Sequence, residues 1–389
     1  MSGTGGLPVS AAVISERGGP FVIEQLQLAP PRPDEVLLRV VAAGVCRTDL
    51  HIRDQEYPIR LPVVAGHEGA GVIEAVGTAV TALAPGDHVV VSYPSCGACR
   101  HCLRAELPYC VHGFELSFGG QRLDGTSALT RAGGERVNGH IFQQSAFATH
   151  AVVPARSAVR VPADLPLELL APLACGVQTG AGAVLNTLAV TAGDRVAVLG
   201  AGGVGLSSVM AAAAVGAARI IAVDVNPARR ALALELGATE AVDPAGIDLA
   251  GELSARTGGR LRHIVETTGL PAVLADALRA VDMTGTVAVV GAAAAGTRVT
   301  LDTNTLLNGR RLRGVIQGDA VPHEFIPRLI GLHRAGRLPL ERIVTPYDFA
   351  DINIAVKDMS EGIAVKPVLR IGTASDPASD PASDPAPAR

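Results

Sequence analysis

Hydrophobic positions along this 389-residue chain change their rhythm near residue 183. Before that point, short valine-rich runs are set apart by Gly, Pro and Asp: VLLRVVAAGV (36–45), GAGVIEAVG (69–77) and DHVVVSY (87–93). Each reads as a strand bounded by turn residues, so the first part is predicted mostly β. From about 183 to 320, apolar strands alternate with helices. RVAVLG (195–200), RIIAVDV (219–225), HIVETTG (263–269) and TVAVVGAA (286–293) are the strands. SSVMAAAAVGA (207–217) and PARRALALELGA (227–238) are helices, the second opening on Pro and closing on Gly. This alternation predicts an α/β domain with a doubly wound parallel sheet. Beyond 325, a helix (FIPRLIGLHRAG) and a short strand (KPVLRIG) are expected to return to the first domain. The end, SDPASDPASDPAPAR, has nothing to bury and reads as a disordered tail. The expected division is a domain over 1–182, a second over 183–322, a return over 323–372 and a tail over 373–389. A chain of this length is expected to need two cores.

The run from Val196 to Ala218 carries no charge over 23 residues, enough to span a bilayer. Its centre is glycine-rich and reads as a turn, so a buried strand–turn–helix explains it better than a membrane span. A net charge of −4 and the absence of a Lys/Arg run argue against a nucleic-acid partner. The first residues lack a basic segment followed by an apolar one, which argues against secretion and for the cytoplasm.

Within the second domain, Gly200-Ala-Gly-Gly-Val-Gly205 fits GxGxxG, and Asp224 ends the next strand 24 residues after Gly200. A strand before the motif, a helix after it and the acidic residue beyond make a Rossmann dinucleotide site. Gly200, Gly202, Gly203, Val204 and Gly205 would bring backbone amides to a pyrophosphate. Asp224 would accept a ribose diol and repel a 2′-phosphate, favouring NAD over NADP. A glycine turn without ligand is the alternative.

Four of the six cysteines fall within fifteen residues, Cys96, Cys99, Cys102 and Cys110, spaced C-x2-C-x2-C-x7-C. A ferredoxin run needs a different last spacing, and a thioredoxin-like pair gives no reason for four. A closed tetrahedral zinc site fits best, a structural lobe at about 94–115. His101 and His112 are then surface residues. Cys46 and Cys175 remain, with His67 between them. One His and two Cys make the ligand set of an open zinc site with a position for substrate.

These motifs together resemble the medium-chain, zinc-dependent alcohol dehydrogenases over roughly residues 10–371. GVCRTDLH (44–51), GHEGAGVIEAVG (66–77), PGDHVV (85–90), the four-cysteine lobe and LGAGGVG (199–205) carry the likeness. SFGGQRLDGTSAL and GERVNGHIFQQSAFATHAVV resemble the aryl- (benzyl-) alcohol dehydrogenase branch. The resemblance implies a mostly β, GroES-like catalytic domain and two zinc ions per subunit. It also implies NAD as cofactor, a homodimer or homotetramer, and reversible oxidation of an aromatic or allylic primary alcohol to its aldehyde. It makes Cys46, His67 and Cys175 the ligands of the catalytic zinc. Glu68 is an intermittent fourth ligand or a carboxylate that never touches the metal. Asp49 would hold the second nitrogen of His67. Thr48 would pass the alcohol proton through a ribose hydroxyl to His51, unless His51 is merely structural.

Arg47 and Lys366 resemble basic contacts to the pyrophosphate, with a plain surface charge as the alternative for each. Arg229 falls near the adenosine ribose, Thr179 near the nicotinamide, and Val290 against its ring. Tyr57, Tyr93, Leu116, Ile141, Phe142, Ala292 and Ile316 fall where the family lines its alcohol cleft. Three of the chain's eleven Phe and Tyr are in that set, which points to an aromatic or long apolar alcohol, with core packing as the alternative. Two rival functions remain open. A thiol-adduct (S-hydroxymethyl-thiol) formaldehyde dehydrogenase would need a basic residue at the cleft mouth, with Arg53, Arg60 and Arg122 as candidates. A non-catalytic zinc- and dinucleotide-binding protein would be expected to lack part of the catalytic set, which is complete here.

Overall fold

A computed structural model of the protein describes residues 6–294 and 296–372; the expected disordered tail lies outside them. The parallel sheet forms as the apolar runs predict. Its six strands lie in the order Glu240–Val242, Arg219–Val223, Arg195–Leu199, His263–Glu266, Thr286–Val289 and Arg311–Gly314, all parallel. The order reverses between Arg195–Leu199 and His263–Glu266, and ligands of such sheets bind at that switch point.

The charge-free stretch resolves as expected: the strand Arg195–Leu199, a glycine turn and the helix Gly203–Ala214. Its side chains are small because the helix lies against the sheet and against Gly176–Gly182. A Cβ on Gly180 would run into the Val204 carbonyl. Among the described residues, no single helix is long and apolar enough to cross a membrane.

The other domain is built on two sheets. One follows the order Val63–Val64, Leu7–Ile14, Val22–Leu28, Leu129–Thr130, Arg136–Val137. The second runs Ala158–Arg160, His88–Val91, Gly69–Val76, Glu35–Gly44, Lys366–Arg370, Val344–Asp348, with His150–Pro154 also on Glu35–Gly44. The return of the chain is therefore literal. Lys366–Arg370 pairs antiparallel with Glu35–Gly44, Val368 opposite Gly44, so both ends of the chain build one sheet.

The expected boundary at 182/183 falls inside one helical run, Gly176–Gly182 continued by the wider turn Ala183–Thr187. That run is buried against both domains, and hydrophobic rhythm alone gives it no break. Ser208 Oγ donates to the Gly180 carbonyl across 2.9 Å.

Candidate active site and cysteine lobe

The sulfurs of Cys96 and Cys102 lie 3.9 Å apart, Cys99 and Cys102 3.5 Å, Cys99 and Cys110 4.0 Å. A tetrahedron of Zn–S bonds spans about 3.8 Å along each edge. Backbone amides already serve the sulfurs: Cys96 N–H donates to Cys110 Sγ at 3.3 Å and Cys99 N–H to Cys96 Sγ at 3.4 Å. Amides of Cys102 and Val111 hold the Cys99 thiol down to about 5, a thiolate at neutral pH. Burial pushes Cys110 up to about 12. His101 turns to Glu106 at 2.7 Å and His112 is exposed, so neither competes for the metal position.

The second cluster is assembled from distant elements. Cys46 precedes the helix Arg47–Arg53, His67 and Glu68 precede the strand Gly69–Val76, and Cys175 precedes Gly176–Gly182. One ligand atom from each of the four lies within 4.8 Å of every other. Asp49, fully buried, organises the approach. Its Oδ2 accepts the Cys46 N–H at 3.0 Å and its Oδ1 accepts the Gly66 N–H at 3.1 Å. Oδ1 also meets His67 Nδ1 at 3.0 Å. His67 Nε2 is buried with no hydrogen-bond partner. An orphaned ring nitrogen facing two thiols, with its other nitrogen fixed by a carboxylate, is what a metal-ligating histidine requires. The hydrogen bond from Cys175, with the charges of Lys366 and His67, holds the Cys46 thiol well below its ordinary range despite burial. The donor set therefore fits a divalent ion of borderline softness.

Lys366 is not a surface charge: its Cε would lie 3.4 Å from a Cβ on Gly203, at the start of the motif helix. Its Nζ is buried between Glu68 Oε1 at 2.9 Å, Glu68 Oε2 at 3.0 Å and the Val45 carbonyl at 3.1 Å. A fully buried carboxylate needs a countercharge, and the Lys366–Arg370 strand delivers one beside it. Burial pushes the Glu68 carboxyl up to about 7, against the pull of Lys366. Gly176 N–H donates to Oε1 as well, at 3.1 Å.

At the nucleotide end the three motif glycines divide their work. Gly200 has φ +93°, a turn that disfavours any side chain. A Cβ on Gly205 would strike the Gly200 carbonyl, while a Cβ on Gly202 would meet nothing within 4 Å. Asp224 Oδ2 accepts the Ala201 N–H at 2.7 Å and Oδ1 the Asn226 N–H at 2.8 Å. Its carboxylate thus ties the glycine turn to the end of the second strand. Arg229 lies beyond it with Nε buried and unpartnered. Thr179 is buried. Val290 is half-buried just past Thr286–Val289. Arg47 is exposed.

Thr48 Oγ1 lies 3.9 Å from Cys46 Sγ. His51, on the same helix, meets Glu56 Oε2 through Nδ1 at 2.5 Å. Beyond the metal cluster runs a chain of rings. Phe142 stacks on His67, centroids 4.6 Å apart. Phe118 meets Phe142 at 5.3 Å and Tyr57 at 4.7 Å, and Phe114 meets Phe118 at 5.1 Å. Tyr57 also meets His51, at 5.9 Å.

Two of the seven expected cleft residues, Tyr57 and Phe142, belong to this run. Ile141 is fully buried, and Leu116 packs with Cys102 and Cys110 of the lobe. Tyr93 donates its hydroxyl to the Ala320 carbonyl. Ala292 and Ile316 are exposed. Phe114 and Phe118 escaped the sequence reading. Their spacing of four within SFGG-proximal sequence was a usable signal, since residues four apart share a helix face, and both lie on Gly113–Phe118. Of the basic candidates for a thiol adduct, Arg122 is buried against Glu35 at 2.5 and 2.8 Å. Arg53 is bound to Asp54.

Comparison with known proteins agrees with this geometry. Residues 32–163 match the alcohol dehydrogenase GroES-like domain, and residues 203–332 match the zinc-binding dehydrogenase domain. A geraniol dehydrogenase of Castellaniella defragrans is 47% identical, covering 93% of this chain and 98% of its own. The crystal structure of an alcohol dehydrogenase zinc-binding domain protein from Burkholderia ambifaria is 50% identical, with a TM-score of 0.92 over 94% of this chain and 100% of its own. Benzyl alcohol dehydrogenase from Acinetobacter calcoaceticus is 42% identical, with a TM-score of 0.91 over 94% of this chain and 100% of its own. On sequence, fold and donor set alike, the chain belongs to the zinc-binding, medium-chain alcohol dehydrogenases.

Proposed function

We propose that this protein is a zinc- and NAD-dependent dehydrogenase that oxidises a flat primary alcohol, aromatic or allylic, to its aldehyde, reversibly. The observation that carries the substrate class is the run Phe142, Phe118, Tyr57 and Phe114 leading away from His67. Ring faces stack on planar unsaturated groups in offset or edge-on geometry. The related geraniol and benzyl alcohol dehydrogenases bear names of one allylic and one aromatic alcohol.

Cys46, His67 and Cys175 would hold the catalytic zinc, with Glu68 as an occasional fourth donor. Bound there, zinc supplies Lewis acidity, favouring the alkoxide over the alcohol. Asp49 fixes the tautomer of His67 by holding Nδ1. Thr48 takes the alcohol proton, and His51, backed by Glu56, receives it on the way to solvent. Phe142, buried against His67, keeps water from the reacting carbon, while Tyr57 and Phe118 are half-buried and Phe114 lies at the exposed end of the run. Gly202 leaves room for the pyrophosphate at the N-terminus of Gly203–Ala214. Asp224 would meet the ribose and disfavour a 2′-phosphate, Thr179 and Val290 would flank the nicotinamide, and NAD would supply the hydride acceptor. Cys96, Cys99, Cys102 and Cys110 would hold a second, structural zinc.

Among the described residues, the outer edge of the strand Arg311–Gly314 has no paired strand and offers a surface for a homodimer or homotetramer, which sedimentation would reveal; a monomer at micromolar concentration would refute it.

The test of function is the initial rate of NADH formation by zinc-replete protein with NAD and benzyl alcohol, geraniol or ethanol. The unsaturated alcohols should lead ethanol in kcat/KM by about tenfold or more, some 1.4 kcal/mol of added transition-state binding. Equal values for all three would remove the aromatic wall from the argument. Activity with NADP alone would overturn the reading of Asp224.

A further inference from the structure

The segment Gln317–Gly318–Asp319 holds three consecutive residues at positive φ, +52°, +68° and +51°. Two of the three are not glycine, and such backbone persists only where its surroundings hold it. Gln317 is buried, and its Nε2 lies 3.7 Å from Cys175 Sγ. We infer that Gln317 is a positioning residue for Cys175, donating an N–H···S hydrogen bond that fixes the sulfur and draws charge from it. The inference rests on the reading of Cys175 as a metal ligand and adds a residue that the ligand pattern does not contain.

The direction of the amide follows from a backbone anchor. Gln178 Nε2 donates to the Ala174 carbonyl at 2.5 Å, which can only accept, and to Ser92 Oγ at 2.8 Å. The same NH2 group also faces Gln317 Oε1 at 3.0 Å, its two hydrogens shared among the three acceptors. With its oxygen thus taken, Gln317 presents its NH2 group to the sulfur. Gln178 and Ser92 are fully buried, so the relay from Ala174 to Cys175 is shut off from solvent.

The backbone of the turn is held as firmly. Asp319 Oδ1 accepts the Tyr109 hydroxyl at 2.5 Å. Its Oδ2 accepts Thr187 Oγ1 and Arg313 Nη2, each at 2.7 Å. Asn186 Nδ2 donates to the Gly318 carbonyl at 3.0 Å. Tyr109 adjoins Cys110, so the turn is tied at one end to the lobe and at the other to Cys175. Partners of ligands beyond the metal's own shell tune affinity as well as orientation.

The test replaces Gln317 in the full chain by Leu, which deletes the donor, and by Glu, which keeps the shape. Cobalt(II) is exchanged for zinc, and the thiolate-to-cobalt charge-transfer band is compared with that of the parent. The four-cysteine lobe contributes to both proteins and cancels in the difference spectrum. Without the N–H···S bond the sulfur is richer in electrons, so the band should move to lower energy in both variants. Zinc release from this site to a chelator should quicken about tenfold, while NAD binding of the folded variants stays near the parent's. A band that does not move in folded variants overturns the inference, even if turnover falls. A parent protein that takes up only one cobalt ion instead overturns the metal reading itself, and the inference with it.

Discussion

At the scale of single residues, the site separates groups that do chemistry from groups that hold them. Cys46→Ser or His67→Ala should abolish turnover while NADH binding, followed by its nicotinamide fluorescence, persists; normal turnover in either would exclude them as metal ligands. His140 makes a different point, about stability. It is 1% exposed, its Nδ1 has no partner, and its Nε2 accepts the Ala128 N–H at 3.2 Å. Burial, with the nearby charges of Arg122, Arg32 and Arg136, drives it down to about 3. In the unfolded chain it would take a proton near pH 6.5. A depressed folded value means the unfolded state binds the extra proton, so stability falls as pH drops from about 6.5 toward 3. At pH 5 the loss amounts to about 2 kcal/mol. His140→Gln, which keeps an acceptor, should flatten the stability curve between pH 7 and 5 in urea titrations. An unchanged slope would mean that His140 is not the acid-sensitive group.

At the scale of elements, the strand–turn–helix around Gly200 gives a sharp contrast between neighbours. Gly202→Ala places a methyl group in open space, so the thermal transition should hold while NAD affinity drops about tenfold or more. Gly205→Ala drives the same methyl into the Gly200 carbonyl and should lower the transition itself. Equal behaviour of the two would mean the glycines do not divide their work. This element was legible in sequence, because strand, turn chemistry and helix lie within one short window. So was the cysteine lobe, whose four clustered cysteines are local. The aromatic run was only half legible. Tyr57 and Phe142 fall in recognisable positions, but Phe118 bridges them only after the Gly113–Phe118 helix docks. The ion pair of Lys366 is not legible for a related reason. Its partner Glu68 is 298 residues away, and no local pattern reports which buried charge a returning strand will meet. Leu7–Ile14 escaped notice because its inner half is buried without interruption, leaving no alternation to read.

At the scale of the whole molecule, the Glu68–Lys366 pair joins the two ends of the catalytic domain. Both side chains are almost wholly buried, at 0% and 5% exposure. Breaking such a pair strands a charge and costs about 3–5 kcal/mol, whereas replacing both partners is far less costly. Lys366→Met should therefore destabilise the protein strongly, and Glu68→Gln with Lys366→Met should recover much of the loss in denaturant titrations. A double variant as unstable as Lys366→Met would show that the pair is not the source.

That the sheet carrying Cys46 and His67 is completed by the strand Lys366–Arg370 also orders events during synthesis. The four cysteines of the lobe leave the ribosome within fifteen residues of one another and can close around an ion while most of the protein is still unmade. The other centre has no such freedom. Cys175 emerges more than a hundred residues after His67, and the cation that neutralises Glu68 comes 298 residues after it. The four-cysteine cluster can therefore gather on a nascent chain, while the other cluster must wait for the strand Lys366–Arg370.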